Sequence, residues 1–330
     1  MRILVTGAEG FIGSHLVEML VKKKYDVRAL VLYNSFNSWG WIDSFPKKIK
    51  NKIQVFLSDV RDKEAVEKSI KGVDVIINLA ALIGIPYSYV ASKSYIDTNV
   101  IGLLNILNAS LNSKVKQIIQ VSTSEVYGTP KKVPIKENYE LNAQSPYAAS
   151  KIAADQLALS FYRSFGLPVS IIRPFNTYGP RQSARAIIPT IITQALVKDT
   201  IEIGSISPKR DLLFVEDTVS GIISVIGKKN SIGQVINLGS GFEISIKDLI
   251  KKIGKILGIK IRFKYNKIRV RPKKGEVYRL LASNTKAKKI LKWSPKYKNN
   301  KGLDLGLSKT IDWFKDKKNL KNYKTSHFNY

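Results

Sequence analysis

Short apolar runs alternate with amphipathic stretches through the first half of the chain, which predicts a parallel β-sheet with helices on both faces. The runs are rich in Val and Ile and carry few charges, as is typical of strands buried on both faces. The predicted strands are Ile3–Thr6, Asp26–Leu32, Ile53–Leu57, Val73–Leu79, Gln117–Ser122 and Val169–Arg173. The predicted helices are Gly10–Lys23, Lys63–Ile70, Ser94–Ser113 and Tyr147–Phe165.

The pattern changes after Tyr178-Gly179-Pro180 to shorter elements with more basic loops. We therefore expect residues 1–180 to form a doubly wound α/β lobe, and residues 181–205 and 240–315 to form a smaller C-terminal α/β lobe that binds the substrate. Strands near Leu212–Val215 and Val235–Leu238 are expected to return to the first lobe within residues 206–239. Residues 316–330 are rich in Lys and are expected to be a fraying tail.

The composition limits the classes of chemistry and of location. No apolar run approaches the roughly 18 residues of a membrane span, and the chain opens on an apolar strand without a charged leader, so a cytoplasmic protein with no membrane partner is expected. The chain has no Cys and two His, which excludes disulfides and thiol nucleophiles and leaves little material for a metal site. The chemistry must come from Tyr, Lys, Glu, Ser and Thr.

The formal net charge of +30 raises the question of a nucleic-acid partner. The lysines occur as short separated groups in predicted turns and on helix faces, and no RNA-binding signature or zinc finger accompanies them. We therefore expect no nucleic-acid partner, although the surface would attract an anionic nucleotide substrate. The two long helices Ser94–Ser113 and Tyr147–Phe165 carry apolar side chains around much of their circumference, which favours a homodimer.

A glycine-rich turn, built from Gly7, Gly10 and Gly13, follows the first strand and opens the first helix. Bare backbone at this position lets a pyrophosphate approach the amides of the helix, so the turn predicts a dinucleotide site in a Rossmann-type lobe. No acid stands at 31–34 to bind the adenosine ribose, and no Arg stands there for a 2′-phosphate, so NAD is favoured by default. Asn34 or Ser35 are candidate ribose partners. Asp59 is a candidate for the adenine amino group, or equally a helix N-cap or turn residue.

Tyr147 and Lys151 stand one helical turn apart, after Ser145-Pro146, which is a good helix start. A Lys ammonium on the same face would stabilise the phenolate and lower its pKa, so the pair predicts a base that deprotonates a sugar hydroxyl. Thr123 and Glu125 end a strand at the edge where open parallel sheets bind ligands, and offer a hydroxyl and a carboxylate to the sugar.

Separated arginines indicate where an anionic ligand would bind. Arg181 follows the bend after the strand at 169–173, and Arg210 and Arg271 follow in the second lobe. Guanidinium groups read phosphate oxygens in a bidentate manner, so this set predicts contacts to a diphosphate.

The chain resembles the extended short-chain dehydrogenase/reductase family that acts on nucleotide sugars. The resemblance covers about residues 1–315 and rests on the segments GAEGFIGSH, NLAA, TSEVYG, SPYAASK, RPFNTYGPRQ and RDLLFVEDT. Within the family, VLYNSFNSWGWIDS and AALIGIPYSY most resemble the configuration-retaining UDP-N-acetylglucosamine 4,6-dehydratases, including those that open legionaminic acid synthesis.

The resemblance implies an NAD-dependent 4,6-dehydration. In it Tyr147 is the base on the C4 hydroxyl, Lys151 holds the nicotinamide ribose, and Thr123 bonds O4. Glu125 would remove the acidified C5 proton and assist loss of the C6 hydroxyl, after which hydride returns to C6 and NAD is regenerated. Many 4,6-dehydratases carry an Asp where this chain has Ser124, so Glu125 or a water would supply the proton to the leaving hydroxyl.

Further positions match the family's contacts. For the cofactor they are Phe11, Ile12, Val60, Leu79, Ala80, Ala81, Asn99 and Ser122; for the substrate they are Asn176, Ile188 and Glu276. The Thr-Ser-Glu triplet at 123–125 also resembles that of GDP-mannose 4,6-dehydratases and UDP-glucuronate decarboxylases. A GDP-linked substrate, a UDP-sugar 4-epimerase and a decarboxylase therefore stay open, as does NADP.

Overall fold

The computed structural model describes residues 1–324, with Lys273 described by its backbone alone. Its strands are β1 (Arg2–Thr6), β2 (Asp26–Val31), β3 (Ile53–Leu57), β4 (Val75–Asn78), β5 (Gln117–Val121), β6 (Val169–Pro174), β7 (Asn176–Tyr178), β8 (Thr200–Ile203), β9 (Lys209–Phe214), β10 (Val235–Leu238), β11 (Glu243–Ser245), β12 (Arg262–Tyr265) and β13 (Arg279–Leu280).

The helices follow the strands closely in the first half. They are α1 (Phe11–Lys22), α2 (Lys47–Lys50), α3 (Lys63–Ile70), α4 (Ile85–Ser88), α5 (Ser92–Ile96), α6 (Gly102–Leu111), α7 (Pro146–Phe165), α8 (Ile187–Ala195), α9 (Val215–Val225), α10 (Ile246–Leu257), α11 (Thr285–Leu291), α12 (Asn299–Lys315) and α13 (Lys317–Leu320).

Seven strands form one parallel sheet in the order β3-β2-β1-β4-β5-β6-β10. The order reverses between β1 and β4, and open sheets of this kind bind ligands at the carboxyl ends of the strands on either side of the reversal. Successive side chains of β1 point to opposite faces, so Ile3 and Val5 join one apolar core and Leu4 joins the other. Helices α1 and α9 cover the first face and α3, α6 and α7 the second, which confirms the predicted doubly wound Rossmann-type sheet.

Helix α7 begins where the sequence places its start. The Ser145 hydroxyl accepts a hydrogen bond from the Ala148 amide at 3.1 Å, and Pro146 occupies the first turn, where no amide donor is needed. The helix ends at Phe165, and Gly166 adopts a left-handed conformation with φ +67°. The predicted helix Ser94–Ser113 is instead interrupted, because a π-helical turn at Asp97–Ile101 separates α5 from α6.

Two smaller sheets lie outside the seven-stranded one. Strand β9 pairs with β7, β11 and β13 in a four-stranded sheet, and β8 pairs with β12. The strand near Leu212–Val215 therefore pairs with one strand of the first-lobe range, β7, but does not join the seven-stranded sheet. The strand Val235–Leu238 does return, as the edge strand β10 beside β6.

The predicted tail is partly ordered. Residues 317–320 form α13, and the Tyr323 ring lies 6.4 Å from the Trp41 ring and 6.1 Å from the Trp313 ring. This aromatic contact holds the segment against the first lobe, so the expectation of fraying is wrong for residues 316–323. Residues 325–330 lie outside the described part of the chain.

Candidate active site

One cavity of about 1460 Å³ runs along the carboxyl ends of the parallel strands and into the second lobe. It is lined by the residues that follow β1, β4 and β5 and by parts of the second lobe. Its volume exceeds the roughly 300–1,000 Å³ of an ordinary small-ligand pocket, and its length suits a dinucleotide with a second ligand beside it.

The glycine-rich turn forms one end of the cavity. Gly7 has φ +63°, and a Cβ there would lie 2.9 Å from the Ala80 amide nitrogen. A Cβ on Gly13 would lie 2.1 Å from the Gly7 carbonyl oxygen, so neither position accepts a side chain. Helix α1 starts at Phe11, and its N-cap residue Gly10 offers no side-chain cap, which leaves the first amides of the helix for an anion.

The cofactor contacts expected around this turn are brought together. Gly7, Gly10, Phe11, Ile12, Gly13, Asp59, Val60, Leu79, Ala80, Ala81 and Ser122 all line the cavity. Asp59 holds Arg61 through its side chain, with Nη2 at 2.5 Å and Nε at 2.9 Å, and this hydrogen-bonded partner holds the pKa of Asp59 below its usual range. The N-cap of α3 is Asp62 rather than Asp59.

Two expected cofactor residues do not line the cavity. The Asn34 side chain closes its own loop, since Oδ1 accepts from the Phe36 and Ser38 amides, both at 3.2 Å, and Nδ2 donates to the Ser38 carbonyl at 2.8 Å. Its role as a ribose partner is therefore corrected to a turn residue. The Asn99 side chain instead binds the backbone of Leu82: it accepts a hydrogen bond from the Leu82 amide at 2.8 Å and donates one to the Leu82 carbonyl at 3.0 Å. The role of Asn99 is therefore structural.

The residues of the predicted catalytic set meet in the middle of the cavity, where Thr123, Ser124, Glu125, Tyr147 and Lys151 all form part of the wall. Each of these five side chains is at least nine-tenths buried. The Thr123 hydroxyl lowers the pKa of the Tyr147 phenol against the effect of burial, and the charge of Glu125 raises it. A hydroxyl, a carboxylate and a phenol thus line the same cavity, and these are groups that proton removal from a hydroxyl requires.

The pKa values of Tyr147 and Lys151, which lie one turn apart on α7, differ from those expected from the sequence. Burial raises the pKa of Tyr147, so the expected lowering of the phenol pKa is not present in the protein alone. Burial lowers the pKa of Lys151 to about 8, partly opposed by the carboxylate of Asp155. The ammonium donates to the Val121 carbonyl at 2.8 Å.

Beneath this pair lies a buried charge network that the sequence reading missed. Asp155 accepts from Ser122 at 2.9 Å and forms an ion pair with Arg173, whose Nη2 lies 2.9 Å from Oδ2. The signal was present in the chain, because positions 147, 151 and 155 repeat at one helical turn and lie on one face.

The substrate half of the cavity carries an arginine and carboxylate cluster. Arg210 Nη2 lies 3.1 Å from Glu276, and Arg271 Nη1 lies 3.7 Å from Glu125 and 3.9 Å from Glu276. Arg271 Nη1 is buried and has no hydrogen-bond partner in the described part of the chain, so a donor for an anion is available beside Glu125.

The remaining expected substrate residues all line the cavity. Asn176 and Ile188 line the substrate half, and the buried Asn176 Oδ1 has no hydrogen-bond partner. Arg181 also lines the cavity, with its Nη2 2.8 Å from Glu18 on α1 and its guanidinium over the Phe45 ring, and its contact with the substrate stays a prediction.

Three further features of the cavity were not predicted. Glu9, inside the glycine-rich turn, lines the cavity near the end of β2. Trp41 and Tyr323 line it at the same end, so the segment 31–44 belongs to the cofactor half. The sequence could have indicated Glu9, because it is an acid within a turn of small residues.

Within residues 1–324, no three or more His, Cys, Asp or Glu side chains gather as metal ligands. Over the same range, none of the helices combines the length and the apolar character that crossing a bilayer takes.

Comparison with known proteins gives a consistent family. The profile of the family described as GDP-mannose 4,6 dehydratase matches residues 4–305. The UDP-N-acetyl-alpha-D-glucosaminuronate decarboxylase of Bacillus cytotoxicus is 32% identical, over 96% of this chain and 99% of that protein.

Two solved structures extend the likeness to three dimensions. The UDP-glucuronic acid 4-epimerase of Bacillus cereus, in complex with UDP-glucuronic acid and NAD, is 30% identical with a TM-score of 0.86, covering 96% of this chain and 99% of that one. The dTDP-glucose 4,6-dehydratase of Bacillus anthracis, in complex with NAD, is 30% identical with a TM-score of 0.84, covering 98% and 100%.

Proposed function

We propose, because the chain belongs to the GDP-mannose 4,6-dehydratase family of nucleotide-sugar enzymes, that it is an NAD-dependent 4,6-dehydratase acting on UDP-N-acetylglucosamine. Both solved relatives described above hold NAD, which supports the same cofactor here. The start of α1 fits a pyrophosphate, because its first turn has no side-chain cap, and Gly7 and Gly13 allow the turn before it to pack closely on backbone. NAD, when bound, supplies the hydride acceptor for the oxidation at C4 and the hydride donor for the return to C6.

The proton of the C4 hydroxyl goes to Tyr147, which lines the cavity together with Thr123. Burial keeps the phenol protonated in the protein alone, so a nearby positive charge is needed to make it a base. Lys151, with a pKa lowered to about 8, is still mostly an ammonium near neutral pH and supplies that charge from one helical turn away.

The proposed dehydration depends on the position of Glu125 in the cavity. Its side chain is buried in the cavity wall, and its charge acts on the Tyr147 phenol, which supports a role for the carboxylate beside the reacting carbons of the sugar. Once C4 is a ketone, the C5 proton is acidic, and Glu125 removes it and protonates the leaving C6 hydroxyl, which departs as water. After hydride returns to C6, C5 takes up a proton from solvent, and Tyr147 releases to solvent the proton that it took from the C4 hydroxyl. Ser124 has no carboxylate to share this work, so Glu125 serves both steps.

The substrate proposal is supported by the segment 80–89. Residues Leu82–Tyr87 line the cavity, and Ile85 packs in one buried cluster with Tyr95 and Tyr147, so this segment covers the sugar end of the site. Arg210 and Arg271 then face the diphosphate. A GDP-linked N-acetylglucosamine shares these contacts and is the alternative substrate.

The test is incubation with NAD and UDP-N-acetylglucosamine in heavy water, followed by mass spectrometry. The wild type is expected to give a product lighter by one water that carries solvent deuterium at C5. Glu125→Gln is expected to lower the turnover of dehydration by about 10²–10⁴-fold and to abolish the exchange at C5.

Glu276→Gln is the matched control, since it removes a carboxylate from the same cavity but from the Arg210 pair. It is expected to raise KM more than it lowers turnover. Retained dehydration in Glu125→Gln would contradict the role of Glu125. Turnover of UDP-glucuronate or epimerisation at C4, with UDP-N-acetylglucosamine unchanged, would contradict the dehydratase proposal.

Two further properties stay proposals. A homodimer is supported by apolar side chains exposed on the helices that flank the sheet, among them Ile96, Ile101, Leu111 and Phe165. Chromatography with light scattering would measure the mass. The cytoplasm stays the predicted location.

A further inference from the structure

Glu9 occupies an unusual place for a carboxylate. It lies inside the glycine-rich turn, and its Oε1 accepts a hydrogen bond from the amide of Leu32 at 3.2 Å. Leu32 directly follows β2, the point at which dinucleotide-binding sheets normally carry the acid that binds the adenosine ribose. The Glu9 carboxylate therefore stands at the position where that acid is missing from the sequence.

The backbone fixes Glu9 from its other side. The Glu9 carbonyl accepts from the Trp41 amide at 3.1 Å, and a Cβ on Gly40 would lie 2.9 Å from the Glu9 Cβ. Gly40 has φ +56°, so a glycine at this position permits the close approach. The segment around Trp41 thus packs directly on Glu9 and holds it at the end of β2.

The second carboxylate oxygen has no partner among residues 1–324. Glu9 Oε2 is shielded from solvent and receives no hydrogen bond from that part of the chain. A buried acceptor left without a donor is costly, and burial correspondingly raises the pKa of Glu9. A ligand with a hydroxyl donor at this end of the cavity would relieve that cost.

We propose that Glu9 is the residue that selects NAD over NADP, its Oε2 accepting hydrogen bonds from the adenosine ribose hydroxyls. This inference rests on the proposed use of a nicotinamide dinucleotide. The carboxylate accepts a hydrogen bond from a free 2′-hydroxyl and repels a 2′-phosphate, so the same group favours NAD and disfavours NADP.

Arg61 is the group that could oppose this selection, because it also lines the cavity and could attract a 2′-phosphate. Its guanidinium is engaged by Asp59 through Nε and Nη2. Binding NADP would require Arg61 to leave that pair as well as bring a phosphate beside Glu9. Both requirements favour NAD.

The experiment measures equilibrium dissociation constants of NAD and NADP by titration calorimetry, for the purified full chain and for Glu9→Gln. The wild type is expected to bind NAD much more tightly than NADP. Glu9→Gln is expected to weaken NAD by about tenfold to a hundredfold and to leave NADP equal or tighter, so that the ratio of the two constants falls at least tenfold.

Glu18→Gln is the matched control, because it removes the same charge from α1 at a carboxylate already held by Lys22 and Arg181. It is expected to leave the ratio within about twofold. Glu9→Ala provides a second test if Glu9→Gln does not fold, since it removes the acceptor entirely and should also collapse the ratio.

The outcomes separate this inference from the proposed function. A wild type that binds NAD, with an unchanged ratio in both Glu9 variants, would overturn the role of Glu9 and leave the proposed function standing. A wild type that binds NAD and NADP equally would do the same. A wild type that binds neither dinucleotide would overturn both.

Discussion

Replacing Asp155 with Asn should destabilise the protein strongly, although the change is nearly isosteric. Asp155 is fully buried, and its Oδ2 lies 2.9 Å from both Nε and Nη2 of Arg173, whose side chain is 3% exposed. The substitution keeps an acceptor for Ser122 but leaves the guanidinium without its counter-charge. Removing one partner of a buried pair costs about 3–5 kcal/mol.

Other contacts of Arg173 place the expected loss near the lower end of this range. Its Nη1 donates to the Tyr127 hydroxyl at 2.9 Å, and its guanidinium lies 5.0 Å from the Tyr127 ring centroid, and the substitution removes neither contact. With a denaturant slope of about 3 kcal/mol/M in urea, a loss of about 3 kcal/mol lowers the unfolding midpoint by about 1 M.

The assay is urea unfolding followed by tryptophan fluorescence, with Asp26→Asn as the matched control. Asp26 forms the same kind of pair with Arg2, with Nε 2.7 Å from Oδ2, but the two side chains are 39% and 51% exposed. The control should lose less than about 1 kcal/mol. Equal losses in the two variants would refute the reasoning that burial sets the cost.

The same variant should change the pH dependence of activity. The Asp155 carboxylate opposes the burial that lowers the pKa of Lys151 to about 8. Without that charge the Lys151 pKa falls further, so the ammonium is lost at a lower pH and activity should decline earlier as the pH rises. An unchanged alkaline limb of the pH profile would separate Asp155 from the tuning of Lys151.

Three other variants test separate parts of the structure. Gly13→Ala places a Cβ 2.1 Å from a backbone carbonyl oxygen, so the free energy of unfolding, measured by thermal unfolding, should fall by about 1–3 kcal/mol. The same variant should lose NAD binding in calorimetry. Binding at wild-type strength would contradict the role of the glycine-rich turn in the cofactor site. Burial lowers the pKa of His15 from 6.5 to about 4, so the unfolded chain binds more protons between these values, and stability should fall by about 2 kcal/mol from pH 7 to pH 5. His15→Gln should lose less over the same range in urea unfolding, and an equal loss would exclude His15 as the source. Tyr323→Ala removes a half-buried ring that packs on Trp41, so the free energy of unfolding should fall by about 1–2 kcal/mol. The control Tyr33→Ala removes a ring that is 70% exposed and should change the free energy of unfolding by less than about 0.5 kcal/mol. Equal losses in the two variants would contradict the aromatic contact.

Local patterns were sufficient for the first lobe and for the catalytic helix. Strand β3, helix α3 and strand β10 have the predicted bounds, because each combines a clear hydrophobic period with turn residues on both sides. The start of α7 was predictable for the same reason, since Ser145 and Pro146 fix it within a few residues of chain. Properties set by contacts close in sequence are those that a sequence expresses directly.

Properties set by distant contacts were the ones missed. Strand β9 has the same apolar character as the strands of the main sheet, but which sheet it joins depends on β7, β11 and β13, which are only two or three residues long. Asn34 lies at the expected ribose position, yet its side chain finds nearer partners in its own loop. Competition between local and ligand hydrogen bonds is not visible in the order of residues alone.

The charges of the catalytic centre are explained only when the sheet and α7 are considered together. Lys151 and Asp155 point from one face of the helix into the ends of β5 and β6, where Val121 and Arg173 meet them. A buried ammonium alone would lose its proton, and a buried carboxylate alone would gain one, because burial disfavours both charged forms. Arg173 keeps Asp155 charged, and Asp155 in turn supports the ammonium of Lys151. The Lys151 ammonium, one helical turn from Tyr147, is therefore supported by an ion pair whose two residues do not line the cavity.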